Sequence, residues 1–280
     1  MKHALSFDIE DWFHIVDIPE LEDISKWDIR PSIVEQYTDL ILSILEEFEV
    51  KATFFVLGWV AKKYPKIAKK IVKAGHELGT HSFWHRRVYE LTPEIFYDDL
   101  KLSIDVLQDQ TGVKLYGFRA PSFSIIPGSE WAFDIINEVG LKYDASLFPA
   151  SRGHGGFPCP IEPHTISRMD VNIPELPMSI YKYGQISIPF SGGGYLRALP
   201  YFLINHGFQS FKKKGIPVVV YLHPRDFAAD QPKVSMPLDR KFKSYVGLST
   251  TENKLRSLLK NFEFTTCEQI LKDYSLISEA

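Results

Sequence analysis

Short apolar runs alternate with longer stretches in which apolar residues return every three or four positions, and this alternation organises most of the chain. The first run, residues 3–7, ends at acidic residues, as a buried strand does when it delivers carboxylates at its C-terminal end. Over residues 31–49, Ile33, Tyr37, Leu40, Ile41, Ile44 and Leu45 recur at helical spacing, and Pro31 suits a helix start. Residues 52–57 read as a second strand, 60–74 as a lysine-rich amphipathic helix closed by Gly75, and 76–81 as a third strand. The same order continues through a helix over 93–111, a strand at 115–119, a helix over 128–139 and a strand-like segment at 142–147.

Residues 151–200 break the rhythm. They are rich in Gly and Pro, and their two expected strands, near 173–177 and 185–189, have no crossover helix between them. Regularity returns with a helix over 200–214, the strongest apolar run at 217–222, a polar loop, a helix over 251–259, a short strand at 263–265 and a last helix. Strands joined by helical crossovers imply a parallel sheet. Polar clusters follow several separate strand ends, which favours one distorted α/β barrel over residues 1–280, with 151–200 as an irregular insert. An open sheet is the alternative.

Composition narrows the function classes. The chain has 280 residues, 45% hydrophobic and 24% charged, and a formal net charge of -3, which points to neither nucleic acid nor an anionic membrane. No segment is apolar enough for a membrane span, and acidic residues interrupt the N-terminal stretch before a signal-peptide core could form, so a cytoplasmic location is expected. Cys159 and Cys267, the only cysteines, form neither a disulfide framework nor a thiolate metal motif.

Four clusters carry candidate chemistry. Asp8, Glu10 and Asp11 place three carboxylates within four residues at the end of a buried strand, where charge is costly without a cation or an arginine nearby. In extended geometry Asp8 and Glu10 share a face and Asp11 points away. His81 and His85, four apart, share a face on a helical turn, and with one carboxylate they make the two-histidine, one-carboxylate set of a catalytic metal site. Arg119 follows the 115–119 strand and could orient an ionised carboxylate, and His223 follows the strand at 217–222. A solvated acidic turn, a capping histidine or a surface ion pair would explain any one of these alone. Four of them at four strand ends converge on one face of a barrel.

With these motifs in place, the chain resembles the polysaccharide deacetylases of NodB homology, carbohydrate esterase family four, through the Asp8 region, HSFWH, RAP, YDASLFP and YLHP. It is similar in particular to the branch associated with exopolysaccharide clusters and exosortases, through FDIEDWFH, FRAPSFSI, YDASLFP, SGGGYLRALP, YLHPRDF and Glu175-Leu-Pro177. The resemblance implies a distorted (β/α)7-type barrel. It implies one divalent metal ion, zinc first, with cobalt, nickel or manganese as substitutes, and removal of an N-acetyl group from a sugar in a polysaccharide or its precursor. Asp8 then corresponds to the catalytic base, Arg119 to the residue tethering it, His81 and His85 to metal ligands, His223 to the general acid, and the Ser122 N–H to the oxyanion donor. Asp226 is the candidate partner for His223.

The sequence departs from the family pattern at two places. The usual Asp-Asp pair is Asp8-Ile-Glu10-Asp11, so Glu10 and then Asp11 are the candidates for third ligand. The fourth motif lacks the usual tryptophan of the acetyl pocket, leaving Leu147, Phe148 or Trp84 as its apolar wall. The run Ser191-Gly-Gly-Gly-Tyr195 could let backbone approach a sugar, with Tyr195 or Arg197 adding contacts. The rival functions are a metal-independent, allantoinase-like amidohydrolase and a non-catalytic carbohydrate-binding protein.

Overall fold

A computed structural model describes residues 1–150, 155–183 and 186–278. Strands β1 (His3–Ile9), β2 (Thr53–Val56), β3 (Glu77–Thr80), β4 (Gly117–Phe118), β5 (Tyr143–Asp144), β6 (His164–Arg168), β7 (Val171–Glu175), β8 (Ile180–Tyr183), β9 (Ile186–Pro189), β10 (Val219–Leu222) and β11 (Phe264–Thr265) follow in order. The main sheet runs β10-β1-β2-β3-β4-β5-β7-β6, with β11 beside the start of β1. From β10 to β7 every pairing is parallel, which makes seven parallel strands, and β6 adds an antiparallel edge.

Alternation along each strand divides the core. Leu5, Phe7, Ile9, Phe54, Val56, Leu78, Phe118, Val218, Val220 and Leu222 face the surrounding helices. Ala4, Phe55, Tyr143, Ala145, Val219 and Tyr221 meet on the opposite face in a second buried cluster. Arg119, just past β4, reaches Asp8 on β1 at 2.8 Å. Strands three apart lie about 14 Å from each other in a flat sheet, so the sheet must curl to bring these side chains together. Its two margins, β10 and the chain leaving β7, are not laddered to each other. They are linked by the Val219 N–H, which donates to Ser179 Oγ at 2.8 Å, and by a bridge between Gly192 and Tyr221. The barrel expected from the sequence is therefore not closed by a continuous strand ladder, and its margins meet through one isolated bridge and one side-chain hydrogen bond.

Helices match the expected spacing except where proline intervenes. The stretch 60–74 forms two helices, Gly58–Lys63 and Lys66–Lys73. Pro65 lacks a donor and drives Tyr64 out of helical geometry (φ -127, ψ 68), so the periodic pattern runs through a break. The insert is less irregular than expected: β6 and β7 form one hairpin, β8 and β9 another, and Gly193–Ala198 is a short helix. Of the strand expected at 185–189, Gln185 lies outside the described residues. The loop after β10 also contains the helices Pro224–Phe227 and Leu238–Tyr245. Among the described residues no helix is long and apolar enough to cross a membrane.

Two histidines serve this framework as neutral acceptors. His3 Nδ1 accepts the Val218 N–H at 2.9 Å, and His76 Nδ1 accepts the Ala52 N–H at 3.3 Å. Burial pulls both pKa values from 6.5 to about 4. The folded state thus binds fewer protons than the unfolded chain, so this stability is complete above about pH 6.5 and is lost as pH falls toward 4. Urea midpoints measured from pH 7 to pH 4.5 should fall in the wild type. They should fall less in His3→Asn with His76→Asn, where the amide oxygen accepts without titrating, and an unchanged slope would refute the assignment. A Cβ at Gly192 would fall inside the Tyr221 ring, so Gly192→Ala should cost about 1–3 kcal/mol in the same unfolding measurement.

Candidate active site and metal centre

β1 brings its even-numbered side chains to the inner face, and its end carries Asp8 and Glu10 into a cleft of about 390 Å³. The cleft is also lined by His81, His85, Ala120, Ser122, Phe123, Tyr195, Tyr221, His223 and Arg225. Four strand ends meet there, as the motif spacing predicted.

Glu10, His81 and His85 form one buried cluster whose candidate ligand atoms lie within 4.8 Å of one another. Glu10 Oε2 touches His85 Nε2 and is 4.0 Å from His81 Nε2. His81 Nδ1–H donates to the Arg119 carbonyl at 2.7 Å, which leaves Nε2 as a lone-pair donor facing the cleft. Burial pulls the His81 pKa down to about 4, so this imidazole is neutral. The turn carrying both histidines is clamped by Asp99, which accepts the Phe83 N–H at 2.6 Å and the Trp84 N–H at 3.1 Å. It also places two non-glycine residues, Ser82 and His85, at positive φ, the price of turning both imidazoles toward one point. Burial opposes the charge on Glu10, yet His85, His223 and Arg225 outweigh it and hold the carboxyl well below its usual range.

Asp11 is not part of this cluster. Its carboxylate accepts from Ser32 Oγ at 2.5 Å and from the N–H groups of Trp12, Ile33 and Val34, capping the 3-10 turn at Trp12–His14 and the start of the helix Val34–Glu47. Strand alternation sends Glu10 inward with Asp8 and turns Asp11 to the helix layer.

Asp8 lies beside the cluster. Its Oδ1 accepts from Arg119 Nη1 at 2.8 Å, while Oδ2 faces His223 Nε2 at 3.8 Å. On the other side of the imidazole, His223 Nδ1–H donates to Asp226 Oδ2 at 2.9 Å. Burial lowers the His223 pKa, but Asp226 overcomes it and the net shift is upward. Asp226 is in turn paired with Arg197 at 2.9 Å; burial opposes its charge, and Arg197 and His223 hold it far below the usual carboxylate range.

Two residues expected at the substrate, Phe148 and Leu147, occupy different places, and the polar atoms of a third are engaged elsewhere. Arg197 lines the cleft but is buried, pairs with Asp226 and donates to the carbonyls of Lys243, Ser244 and Val246 at the end of the helix Leu238–Tyr245. Phe148 is buried behind Phe123 at 5.9 Å between ring centroids, and Leu147 is fully buried; neither lines the cleft. The apolar wall is Phe123 with Tyr221, whose rings meet edge to face at 4.8 Å. Phe123 lay within the RAPSFSI motif, but nothing in its spacing marked it, because the Ser122–Phe123 turn takes positive φ at both residues (57 and 53). Ser122 and Tyr195 do line the cleft, the latter 40% exposed. Arg225, 3.5 Å from Glu10, and His14, whose Nδ1 accepts the Asp11 N–H at 2.9 Å, are further site neighbours that had no assigned role.

Residues 24–143 match the family described as polysaccharide deacetylase, and residues 145–272 match a domain of unknown function, DUF3473. A peptidoglycan-N-acetylglucosamine deacetylase of Bacillus cereus is 26% identical over 121 residues, 39% of this chain and 44% of that protein. A peptidoglycan deacetylase of Helicobacter pylori is 32% identical over 111 residues, 38% of this chain and 36% of that protein. The chain thus spans less than half the length of these curated relatives. Among solved structures, a "putative polysaccharide deacetylase" from Mycobacterium smegmatis aligns with TM-score 0.66 and 20% identity over 99% of this chain and 92% of that one. A CE4 family pseudoenzyme from Bacillus anthracis aligns with TM-score 0.51 and 17% identity over 96% and 66%. These likenesses establish the fold, and since they include a pseudoenzyme they leave activity to the residues themselves. Residues 24–143 thus match the polysaccharide deacetylase family, and over part of its length the chain is similar to the peptidoglycan deacetylases of two bacteria.

Proposed function

We propose that the protein is a metal-dependent hydrolase that removes the N-acetyl group from an N-acetylated sugar of a polysaccharide or its precursor. The observation that carries this reading is the juxtaposition of a buried two-histidine, one-carboxylate cluster with Asp8 and His223 around one cleft. Zinc suits the donor set of two imidazoles and a carboxylate. The likeness to the exopolysaccharide branch favours a cell-surface glycan or its precursor as substrate. The two matched segments act as one catalytic unit on this reading, because β1 and β5 join strands of both into the same sheet.

Glu10, His81 and His85 would hold the ion, which when bound supplies Lewis acidity toward water and the acetamide carbonyl. Arg119 occupies Asp8 Oδ1 and orients the carboxylate, so Oδ2 is the atom that takes a proton from the attacking water. As the C–N bond of the amide breaks, His223 Nε2–H passes its proton to the leaving sugar amine, giving acetate and a free amino group. Asp226 keeps that imidazole protonated and fixes its ring. The Ser122 N–H stabilises the developing oxyanion, and Phe123 with Tyr221 encloses the acetyl methyl.

Loss of a first ligand should weaken zinc binding by more than about a hundredfold, the upper range seen for outer partners. Glu10→Ala and His81→Ala should therefore fail in competition with a chromophoric chelator. Asp11→Asn should keep zinc within about threefold while losing about 1 kcal/mol of stability as a cap. The reverse pattern would overturn the ligand assignment. With zinc loaded, acetate release from chitin oligomers, peptidoglycan and N-acetylated exopolysaccharide tests the reaction. Asp8→Asn should lower kcat by about 10²–10⁴ with little change in KM. A wild-type protein that binds zinc and releases no acetate from any of these would refute the hydrolytic reading.

A further inference from the structure

A second cavity, about 520 Å³, opens directly beside the catalytic cleft, and His14, Ile15, Val16 and His85 line both. Its far side carries two indoles, Trp27 and Trp84, at 6.5 Å between centroids and tilted 42°. Trp84 is half-buried, and the exposed side chains of Arg86 and Glu90 stand near it with Ile95, which is 45% exposed.

We propose that this cavity is a subsite for the sugar unit next to the one whose acetamide enters the catalytic cleft, an assignment that rests on the deacetylase reading. Its chemistry suits a pyranose ring: the half-buried Trp84 indole, backed by the buried Trp27, can cover the apolar C–H surface, while charged groups at the mouth exchange hydrogen bonds with hydroxyls. Its position suits one as well, because the two cavities lie side by side across a shared wall of His14, Ile15, Val16 and His85. Trp84 sits between the ligands His81 and His85 on the turn that Asp99 clamps through the Phe83 and Trp84 N–H groups. The indole is therefore held in register with the reacting centre, so a sugar stacked there would fix how the neighbouring unit presents its acetamide. Arg87, by contrast, is committed to Asp17 at 2.6 Å and Glu90 at 3.0 Å and braces the mouth.

The zinc-loaded protein is titrated calorimetrically with N-acetylglucosamine and with tetra-N-acetylchitotetraose, and acetate release is followed on both. The tetrasaccharide should bind about tenfold more tightly or better, a gain of about 1.4 kcal/mol. Ile95→Trp, which fills the cavity, and Arg86→Ala should each shrink that ratio at least about threefold while leaving monosaccharide binding and turnover unchanged. Equal affinity for the two sugars, a ratio that survives both variants, or binding of neither sugar overturns the subsite. A gain seen with octyl N-acetylglucosaminide but not with the tetrasaccharide assigns the cavity to a lipid chain and overturns it too. Acetate release without length preference removes the subsite and keeps the deacetylase, whereas variant-sensitive length preference without acetate release removes only the hydrolytic reading.

Discussion

A guanidinium with no solvent exposure sits at the middle of this sheet, and the arrangement of the site follows from the partners it must find. Arg119 Nη1 donates to Ser6 Oγ at 2.7 Å and Asp8 Oδ1 at 2.8 Å, and Nε donates to the Ala145 carbonyl at 3.0 Å. Its planar head lies 4.3 Å over the Phe55 ring, and its own carbonyl accepts the His81 Nδ1–H. One residue thus ties β1, β2, the end of β3 and the end of β5 to β4. A buried ion pair contributes little net stability, because desolvation offsets attraction, but removing either partner strands the other charge. The pair is better understood as a constraint of geometry: Arg119 draws Asp8 and His81 to one point, which requires the sheet to curl.

A second buried network shapes the opposite wall. Asp144 and Glu175 are register partners across β5 and β7, and both are fully buried. Burial raises the pKa of each, Glu175 further because the Asp144 carboxyl lies against it, so the pair keeps a proton. Glu175 accepts the Leu147 N–H at 2.9 Å. Ser146 Oγ donates to Asp144 at 2.5 Å and accepts the Ala120 N–H at 2.7 Å. This chain of bonds ends at Ala120, immediately before the turn in which Ser122 and Phe123 hold positive φ. The YDAS motif thus lies behind the segment that leads into this turn and does not line the cleft.

Strand-end chemistry was legible because period-two alternation is a strong signal and carboxylates are costly in a buried strand. The same alternation ranks Glu10 ahead of Asp11 but leaves both as candidates. What stayed hidden was set by long-range packing. Phe148 and Arg197 carry the right chemistry for a binding wall, but which way they face depends on neighbours dozens of residues away: Phe123 for one, Asp226 and the helix Leu238–Tyr245 for the other. Likewise the glycine run does approach a ring closely, but that ring is Tyr221 of this chain. Local pattern identifies which residues are chemically able. It does not identify which partner uses that ability.

The distribution of the site along the chain follows from the fold. Asp8 and Glu10 precede residue 24, where the polysaccharide deacetylase match begins, His81, His85 and Arg119 fall inside it, and His223 with Asp226 and Arg197 fall inside the DUF3473 match. β1 pairs with β2 on one side and β10 on the other, so the strand that carries both carboxylates is held only when the two matched segments flank it. Arg197 extends this dependence, because it rises from the insert to pair with Asp226, and Asp226 fixes the ring of His223. The C-terminal segment is therefore not an appendage to a complete active site. It supplies His223, the buried ion pair behind that imidazole, and one of the two strands that flank Asp8.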